Sequence, residues 1–423
     1  MTRTEERLTD ALGSAARAIR DDTLHPLHFP ERERRRPVWA APVAAAASLL
    51  LVVGLAMAVS GHLHRSERPA RPSSAAPPRY YVEEHVNGVR PAVRSTATGA
   101  VTATIPVPRT GFNTVAAERN GIFFVVAFVR GLAGERLYRF RVTGSGRVSG
   151  FSAVPGRLLG GSSWLADAIA ASPDGSRVAV AFTPQDMASC SSSPPVCTPS
   201  AEADYIVVVD VATGSQSVWR GGMAEQGSWF SIASLSWTGN GRELVFLGQR
   251  CGWRALNNET CDMSQKGRSS RTAQLWALDP ASGGGRLSSG RLLFRQSARY
   301  PYIAQALISP DGSTITAVVQ TGPVVAPTGP LMGSVPGVVS VDQISVATGR
   351  LRRVLYRRDY GTTVGNLILE WVGLTPDSTG QHWLLNVGLC DAHDCSAGSN
   401  GWIDHGRLVP LPPSDGVLAA EAW

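Results

Sequence analysis

Six cysteines are the residues of this chain best suited to chemistry, and they fall into three local pairs. Two nearby thiols can oxidise to a disulfide or, as thiolates, can bind zinc. Several pairings are possible in principle, but nearness along the chain favours pairing inside each local pair. The pairs are Cys190 with Cys197, Cys251 with Cys261, and Cys390 with Cys395.

The surroundings of these pairs favour disulfides over metal. Paired cysteines in loops rich in Gly, Ser and Pro are typical of an oxidising compartment, and each short bridge stabilises a fold by roughly 2–3 kcal/mol. The alternative is a metal site at the third pair, which encloses Asp391, His393 and Asp394. Zinc needs three or four convergent ligands, and no second half of such a site is present. We therefore predict three disulfides, no metal and no cofactor.

The remaining nucleophiles and bases form no recognisable catalytic arrangement. The sequence has no H-E-x-x-H motif and no G-x-S-x-G elbow. Only half of the eight histidines follow residue 79, and none belongs to a recognisable triad: His85, His382, His393 and His405. An enzyme with a site assembled from dispersed residues is the alternative, but the sequence predicts a protein without catalytic activity.

One tight turn recurs between short apolar runs. Its two intact copies read SPDG, at residues 172–175 and 309–312, and each is followed by a strand-like run. Proline presets φ, Asp bonds the nearby backbone and glycine takes a positive φ, so the motif predicts a hairpin. The flanking Val, Ile, Ala and Leu are typical of strands buried on both faces. Degenerate copies lie at 118–121, 238–241 and 375–377.

A second turn follows each first one. It reads DVATG at 210–214 and SVATG at 345–349, with looser copies at 97–99, 142–144 and 279–283. The order is then strand, SPDG turn, strand, long loop, strand, ATG turn, strand. Four antiparallel strands repeated in this way predict the blades of a β-propeller.

This pattern resembles the WD40-like (PD40) repeats of TolB-type propellers. The resemblance covers residues 79–423 and is strongest at 168–221 and 302–358. It implies a binding scaffold, a sensor or the non-catalytic lid of a peptidase. The chain also resembles actinobacterial single-pass membrane-anchored propeller proteins, most of which have no assigned function.

The two ends of the repeat region predict how the ring closes. The first copy starts at Arg79 without an inner strand, and residues 416–423 resemble the inner strands of other copies. We therefore expect this last string to complete the first blade, which gives six four-stranded antiparallel blades. The alternative is a disordered tail.

An uncharged apolar segment covers residues 38–60, long enough to cross a bilayer. Arginines precede it directly, which places the N-terminus inside the cell. The sequence predicts a cytoplasmic segment 1–37, a transmembrane helix 38–60, a Pro/Ser/Ala-rich linker 61–78 and an extracytoplasmic propeller 79–423, located at the cell membrane. A buried core helix and a cleaved signal peptide are the alternatives.

The cytoplasmic segment carries a short amphipathic pattern. Leu8, Leu12, Ala15 and Ile19 share one helical stripe, and so short a helix needs a partner or the membrane surface. The alternative is a simple cytoplasmic leader. The layout resembles anti-sigma factors, although no H-x-x-x-C-x-x-C motif precedes the span. Dispersed arginines predict no nucleic-acid binding.

The predicted topology collects the long loops on one face of the propeller. Connections from the second to the third strand of a blade leave from that face, and all three cysteine pairs fall in them. Long loops on a rigid scaffold are common binding surfaces. We predict a protein or envelope ligand there, in contact with Trp253, Arg254, Asn257 and Asn258. The alternative is that these loops only cap the propeller mouth.

Overall fold

The computed structural model describes most of the repeat region. It covers residues 77–85, 91–107, 113–117, 121–128, 135–158, 164–184, 188–190, 197–199, 204–221, 228–252, 272–297, 299–300, 302–321, 338–360, 368–377, 379–390, 395–412 and 418–422. The predicted cytoplasmic segment and transmembrane span, and most of the linker, lie outside these residues. Within them, no helix has the length and apolar character needed to cross a membrane.

The described residues form 27 β-strands. The first nine are β1 (Tyr80–His85), β2 (Ala92–Ser95), β3 (Val101–Thr104), β4 (Asn113–Ala117), β5 (Ile122–Phe128), β6 (Glu135–Val142), β7 (Val148–Ala153), β8 (Trp164–Ala171) and β9 (Arg177–Pro184). The next nine are β10 (Ala188–Cys190), β11 (Cys197–Pro199), β12 (Tyr205–Asp210), β13 (Gln216–Arg220), β14 (Ser228–Trp237), β15 (Leu244–Gly252), β16 (Thr272–Leu278), β17 (Gly285–Arg286) and β18 (Arg291–Arg295). The last nine are β19 (Tyr302–Ile308), β20 (Thr314–Thr321), β21 (Val338–Ser345), β22 (Leu351–Asp359), β23 (Ile368–Pro376), β24 (Trp383–Cys390), β25 (Cys395–Asp404), β26 (Arg407–Pro410) and β27 (Leu418–Ala422).

These strands form six propeller blades, as the repeat predicts. From the innermost strand outwards, blades one to six are β27-β1-β2-β3, β4-β5-β6-β7, β8-β9-β12-β13, β14-β15-β16-β18, β19-β20-β21-β22 and β23-β24-β25-β26. Each innermost strand lies against the innermost strands of the two neighbouring blades, so the six make a closed ring. Two additions were not predicted. The hairpin β10-β11 lies between β9 and β12, and β17 pairs in parallel with the outer edge of β13.

The last strand closes the ring, and this prediction is confirmed. β27 pairs antiparallel with β1, with Glu421 opposite Glu83 and Leu418 opposite His85. Blade one therefore combines the end of the described chain with its beginning. Because β27 pairs with β1, the inner edge of β1 is not left exposed, and the first blade is completed by the C-terminal strand.

The core lies between the blades because the middle strands are buried on both faces. In β9, Val178, Val180 and Phe182 pack in one cluster with residues of blade two. The alternate residues Ala179 and Ala181 pack in another cluster with residues of blade four. This alternation explains why the strands are apolar at nearly every position.

The predicted turns within the described residues are present, with two corrections; most of the turn predicted at 118–121 lies outside those residues. Gly175 and Gly312 take positive φ values of 68° and 72°, as SPDG hairpins require. The sixth-blade turn is residues 377–380, not 375–377, because Gly380 takes the positive φ and its N–H bonds the Asp377 carbonyl. In blade two the positive-φ glycine that closes the turn is Gly146, not Gly144, since its N–H bonds the Thr143 carbonyl.

Candidate functional site

The strand order gives the propeller two unlike faces. First-to-second and third-to-fourth strand connections leave the turn face. Second-to-third strand connections, and those between blades, leave the opposite face, which we call the loop face. The three longest connections leave the loop face, between β9 and β12, between β15 and β16, and between β20 and β21. The predicted gathering of long connections on one face therefore follows from the observed topology.

The predicted ligand-contact residues lie outside the described part of this face. Trp253, Arg254, Asn257 and Asn258 belong to residues 253–271, which the structure does not describe. Their role in partner binding stays a prediction.

Backbone register bears on two of the three cysteine pairs. Cys190 lies opposite Cys197 in the β10-β11 hairpin, and Cys390 lies opposite Cys395 in the β24-β25 ladder. Directly opposed residues in antiparallel strands have Cα atoms about 4.5–5.5 Å apart, which is within disulfide range. Cys251 belongs to β15, and Cys261 lies outside the described residues. The disulfides themselves stay a prediction.

Buried carboxyl groups join neighbouring blades near the loop face. Asp204, which directly precedes β12, is 2% exposed, and its Oδ2 accepts the Ile232 N–H of blade four at 2.8 Å. Glu135, the first residue of β6, is 3% exposed and accepts the Ala166 N–H of blade three. Each acid starts the third strand of one blade and binds the innermost strand of the next.

Neutral side chains continue this linkage around the ring. Ser234 Oγ donates to the Ala306 carbonyl at 2.8 Å and accepts its N–H at 3.2 Å, so blade four binds blade five. Gln305 does the same to Leu374 of blade six, accepting its N–H at 2.5 Å and donating to its carbonyl at 3.2 Å. An innermost strand has one edge without a sheet neighbour, and these bonds satisfy its backbone groups.

β-bulges accompany the two carboxylate contacts. Register shifts occur between Ala166 and Ala168, and between Ile232 and Ser234. In each strand the residue just before the shift, Ala166 or Ile232, donates its N–H to the buried acid. Bulges bend a strand and re-aim its side chains, and they are common at barrel rims and beside binding sites. In blade three the bulge residue is Asp167, which is exposed.

The Glu135 carboxyl has the most unusual electrostatics of the described residues near this face. Burial, and secondarily the charge of Asp167, raises its pKa to about 8, although the Ala166 N–H acts in the opposite direction. Its Oε2 has no hydrogen-bond partner among the described residues. Glu135 therefore holds a proton at neutral pH, and the neighbouring exposed Asp167 supplies a negative charge beside it.

Of the histidines whose side chains the structure describes, the more buried one belongs to a turn. His382 Nδ1 lies 2.8 Å from Asp377 Oδ2, and both side chains are about 5% exposed. Burial alone would raise the pKa of Asp377, but hydrogen bonds from His382 and Thr379 lower it below its usual value. This pair fixes the sixth-blade turn on the turn face, so the structure gives His382 a structural role.

Comparisons with known proteins find only distant likeness to solved structures. No family model matches the chain, and no curated protein matches it. Among solved structures it is similar to the Dos1 propeller, with 10% identity, a TM-score of 0.38, and coverage of 76% of this chain and 67% of that one. It is also similar to the Cps50 (Swd1) β-propeller domain of Myceliophteria thermophila, with 10% identity, a TM-score of 0.35, and coverage of 73% and 90%.

A prolyl endopeptidase is a third such structure. It shows 16% identity and a TM-score of 0.35, with coverage of 73% of this chain and 44% of that one. Likeness at this level carries no argument about activity, so the propeller fold establishes neither an enzyme nor its absence.

Proposed function

We propose that this protein is a membrane-anchored, extracytoplasmic binding or scaffold module, related to TolB-type propellers, that binds a protein or envelope ligand through its loop face and performs no catalysis. The observation that carries the proposal is the asymmetry of the faces. The turn face consists largely of hairpins whose side chains bond their own backbone, whereas the longest connections all leave the loop face. Rigid scaffolds place binding residues on such connections.

The proposed compartment is supported by sequence and register together. The uncharged segment 38–60 with its arginine-rich flank favours a membrane span with the propeller outside. Opposed cysteines on antiparallel strands favour disulfides, which persist outside the cytoplasm. Intact-mass analysis of the full chain with and without reductant tests this, since three disulfides predict a gain of about 6 Da on reduction.

A matched pair of variants tests the binding face. In the first, Trp253, Arg254, Asn257 and Asn258 are changed to alanine; in the second, the exposed turn-face residues Thr98 and Thr348 are changed to alanine. Both full-length proteins are cross-linked in the native cell, purified and analysed by mass spectrometry. We expect the first variant to lose envelope partners that wild type and the second variant retain. Equal partner sets in all three would contradict the proposal.

A transmembrane signalling regulator is the second candidate. The apolar stripe of Leu8, Leu12, Ala15 and Ile19 favours it, because a short amphipathic helix needs a partner. Co-purification of the full chain and of a version lacking residues 2–30 separates the two functions. A cytoplasmic protein lost only on deletion supports the regulator; envelope partners retained by both versions support the scaffold.

A further inference from the structure

Two of the three cysteine pairs end β-ladders of very different extent. Cys190 and Cys197 end the β10-β11 hairpin, whose ladder has three paired positions. Cys390 and Cys395 end the β24-β25 ladder, which has eight paired positions. Both pairs enclose only a short loop, of six and four residues respectively. The two pairs therefore differ mainly in the backbone structure that supports them.

The β10-β11 hairpin has little support besides its own ladder. Among the described strands, β10 and β11 pair only with each other and form a two-stranded sheet apart from the six blades. Each strand has three residues, and Pro199 at the open end has no N–H to donate to the ladder. An isolated two-stranded hairpin is marginally stable at best in water. A bond between Cys190 and Cys197 therefore supplies support that the backbone ladder does not.

The other pair lies in a sheet that holds its strands together without such a bond. β24 pairs with β25 on one side and with β23 on the other, and each ladder has eight paired positions. Cys390 lies opposite both Cys395 and Ile368 of β23. Leu385 and Val387 of the same strand are fully buried in the core. Backbone pairing therefore keeps Cys390 and Cys395 opposed whether or not their sulfur atoms are bonded.

This difference in support decides how readily each bond is reduced. Reduction breaks the S–S bond and gives two thiols, and the two electrons and two protons come from a dithiol that becomes a disulfide itself. Where the fold keeps the two thiols opposed, their effective concentration stays high and the bond re-forms readily. Where local structure is lost together with the bond, the thiols separate and the reduced form is favoured. The pair on the weaker ladder is therefore the easier one to reduce.

The hairpin belongs to the loop face. It lies in the connection between β9 and β12, which is one of the three longest connections, and all three leave that face. The two strands that flank this connection are fixed independently of the hairpin, since the buried rings of Phe182 and Tyr205 stack with their centroids 5.1 Å apart. Loss of the hairpin can therefore change the loop face while blade three keeps its packing.

We propose that the Cys190–Cys197 bond is a redox-sensitive support of the loop face, which external dithiols break before the Cys390–Cys395 bond. Its reduction unfolds the β10-β11 hairpin and leaves the six blades paired. The inference rests on the disulfides of the proposed function and adds the order in which they open. That order concerns two pairs, because Cys261 of the third pair lies outside the described residues.

Equilibration of the purified full-length protein in mixtures of reduced and oxidised dithiothreitol tests this order. Free thiols are alkylated with one reagent, the remaining bonds are reduced and alkylated with a second, and peptide mass spectrometry gives the reduced fraction of each pair. We expect Cys190 and Cys197 to be half reduced at a ratio of reduced to oxidised reagent about tenfold or more below that for Cys390 and Cys395, which corresponds to about 30 mV. Between the two midpoints, hydrogen exchange should rise at residues 188–199 and stay low in β9 and β12.

A matched pair of variants checks the same point without any reductant. Cys190→Ser with Cys197→Ser removes the bond on the weak ladder and should raise hydrogen exchange in the β10-β11 hairpin. The control, Cys390→Ser with Cys395→Ser, removes the bond on the strong ladder and should leave hydrogen exchange in β24 and β25 close to that of wild type.

The possible failures are distinguishable. Equal midpoints or a reversed order overturn this inference alone and leave the proposed disulfides in place. Unchanged hydrogen exchange at residues 188–199 after reduction of Cys190 and Cys197 also overturns it, because the hairpin then stands without its bond. If the reductant adds no mass to the chain, the bonds are absent, and this inference fails together with the proposed compartment. Binding at the loop face is tested separately by the alanine variants described above.

Discussion

Blades three and five contain the same two turns but have different outermost strands. In blade three, Ser172 Oγ donates to Asp174 Oδ1 at 2.6 Å and accepts the Arg177 N–H at 2.9 Å. In blade five, Ser309 Oγ makes the corresponding bonds to Asp311 at 2.5 Å and from Thr314 at 2.9 Å. The ATG turns also agree, because the N–H groups of Gly214 and Gly349 each bond a carbonyl four residues earlier at 2.8 Å.

The outer strands of these blades have different partners. β13 of blade three has five residues, and β17 covers its outer edge. β22 of blade five has nine residues, and arginines rather than a strand occupy its edge. Turns and inner strands are fixed by bonds within and between blades, whereas the outer strand contacts fewer neighbours. The comparison teaches that blades with the same turns can still differ in the length and pairing of their outermost strand.

Deletion of residues 416–423 should give the largest effect and should affect both blades alike. Without β27, blade one loses its innermost strand and the ring opens. We expect the melting temperature to fall by about 10 °C or more. Hydrogen exchange measured separately in β9 and β20 should rise in both strands. An unchanged melting temperature would contradict closure by β27.

Glycine-to-alanine changes in the two ATG turns should differ strongly. A Cβ at Gly214 would overlap the Pro155 carbonyl, whereas at Gly349 the nearest atom, Phe294 Cε2, lies at an ordinary 3.7 Å. Both positions have positive φ, which costs alanine about 1 kcal/mol. We expect Gly349→Ala to lose about 1 kcal/mol and Gly214→Ala about 3 kcal/mol or more, measured by urea unfolding. Equal losses would show that the turns are more alike than the structure indicates.

The two blades also bind their successors through different chemistry. Asp204 of blade three and Gln305 of blade five each accept a backbone N–H of the next innermost strand. We expect Asp204→Ala to lower the free energy of unfolding by about 2–3 kcal/mol and Gln305→Ala by about 1–2 kcal/mol, because the Asp204 bond is buried and the Gln305 bond is only partly buried, so loss of the Asp204 bond leaves a more deeply buried N–H unpaired. Urea unfolding at pH 7 provides the measurement, and a reversed order would show that burial does not set the relative strength of these two contacts.

Glu135, which binds blade three from blade two, should show an unusual pH dependence. Its folded pKa of about 8 lies above the usual value of 4.5, so folding favours the protonated form. That contribution is complete below pH 4.5 and is lost as the pH rises through 8. Glu135→Gln should therefore gain roughly 2 kcal/mol relative to wild type at pH 9 and little at pH 4. A difference independent of pH would contradict the buried proton.

The SPDG aspartates should give the smallest effect. Hydrogen bonds from Ser172 first, and Ser176, lower the pKa of Asp174 to about 2, and those from Ser309 and Ser313 lower the pKa of Asp311. A lowered folded pKa stabilises above the usual value of 3.8, and this stability is lost as the pH falls towards 2. Both carboxyls are exposed, so each aspartate should account for only about 0.5 kcal/mol of the stability that wild type loses between pH 4 and pH 2, and each asparagine variant should lack that part of the loss. Thermal melts over that range should give parallel curves for Asp174→Asn and Asp311→Asn.

The blade count could be predicted because the turns leave a local signature. Gly175 and Gly312 need positive φ, and their Pro-Asp neighbours are visible within four residues. In blade six the proline misled the prediction, since Pro376 ends a strand and the turn begins at Asp377. The inter-blade acids Glu135 and Asp204 were not predicted, because their partners lie in another blade. Their one visible signal is a lone acid directly before or at the start of an apolar strand.

Closure by β27 also fixes an order of events during synthesis. Glu83 emerges from the ribosome early, yet its ladder partner Glu421 is among the last described residues to emerge. Blades two to six use contacts nearer along the chain and can form first. Contacts between residues so far apart form slowly, because a long loop must close before they are gained. Blade one is therefore expected to complete last, so β1 remains an unpaired inner edge throughout translation and is the segment most in need of protection from premature association.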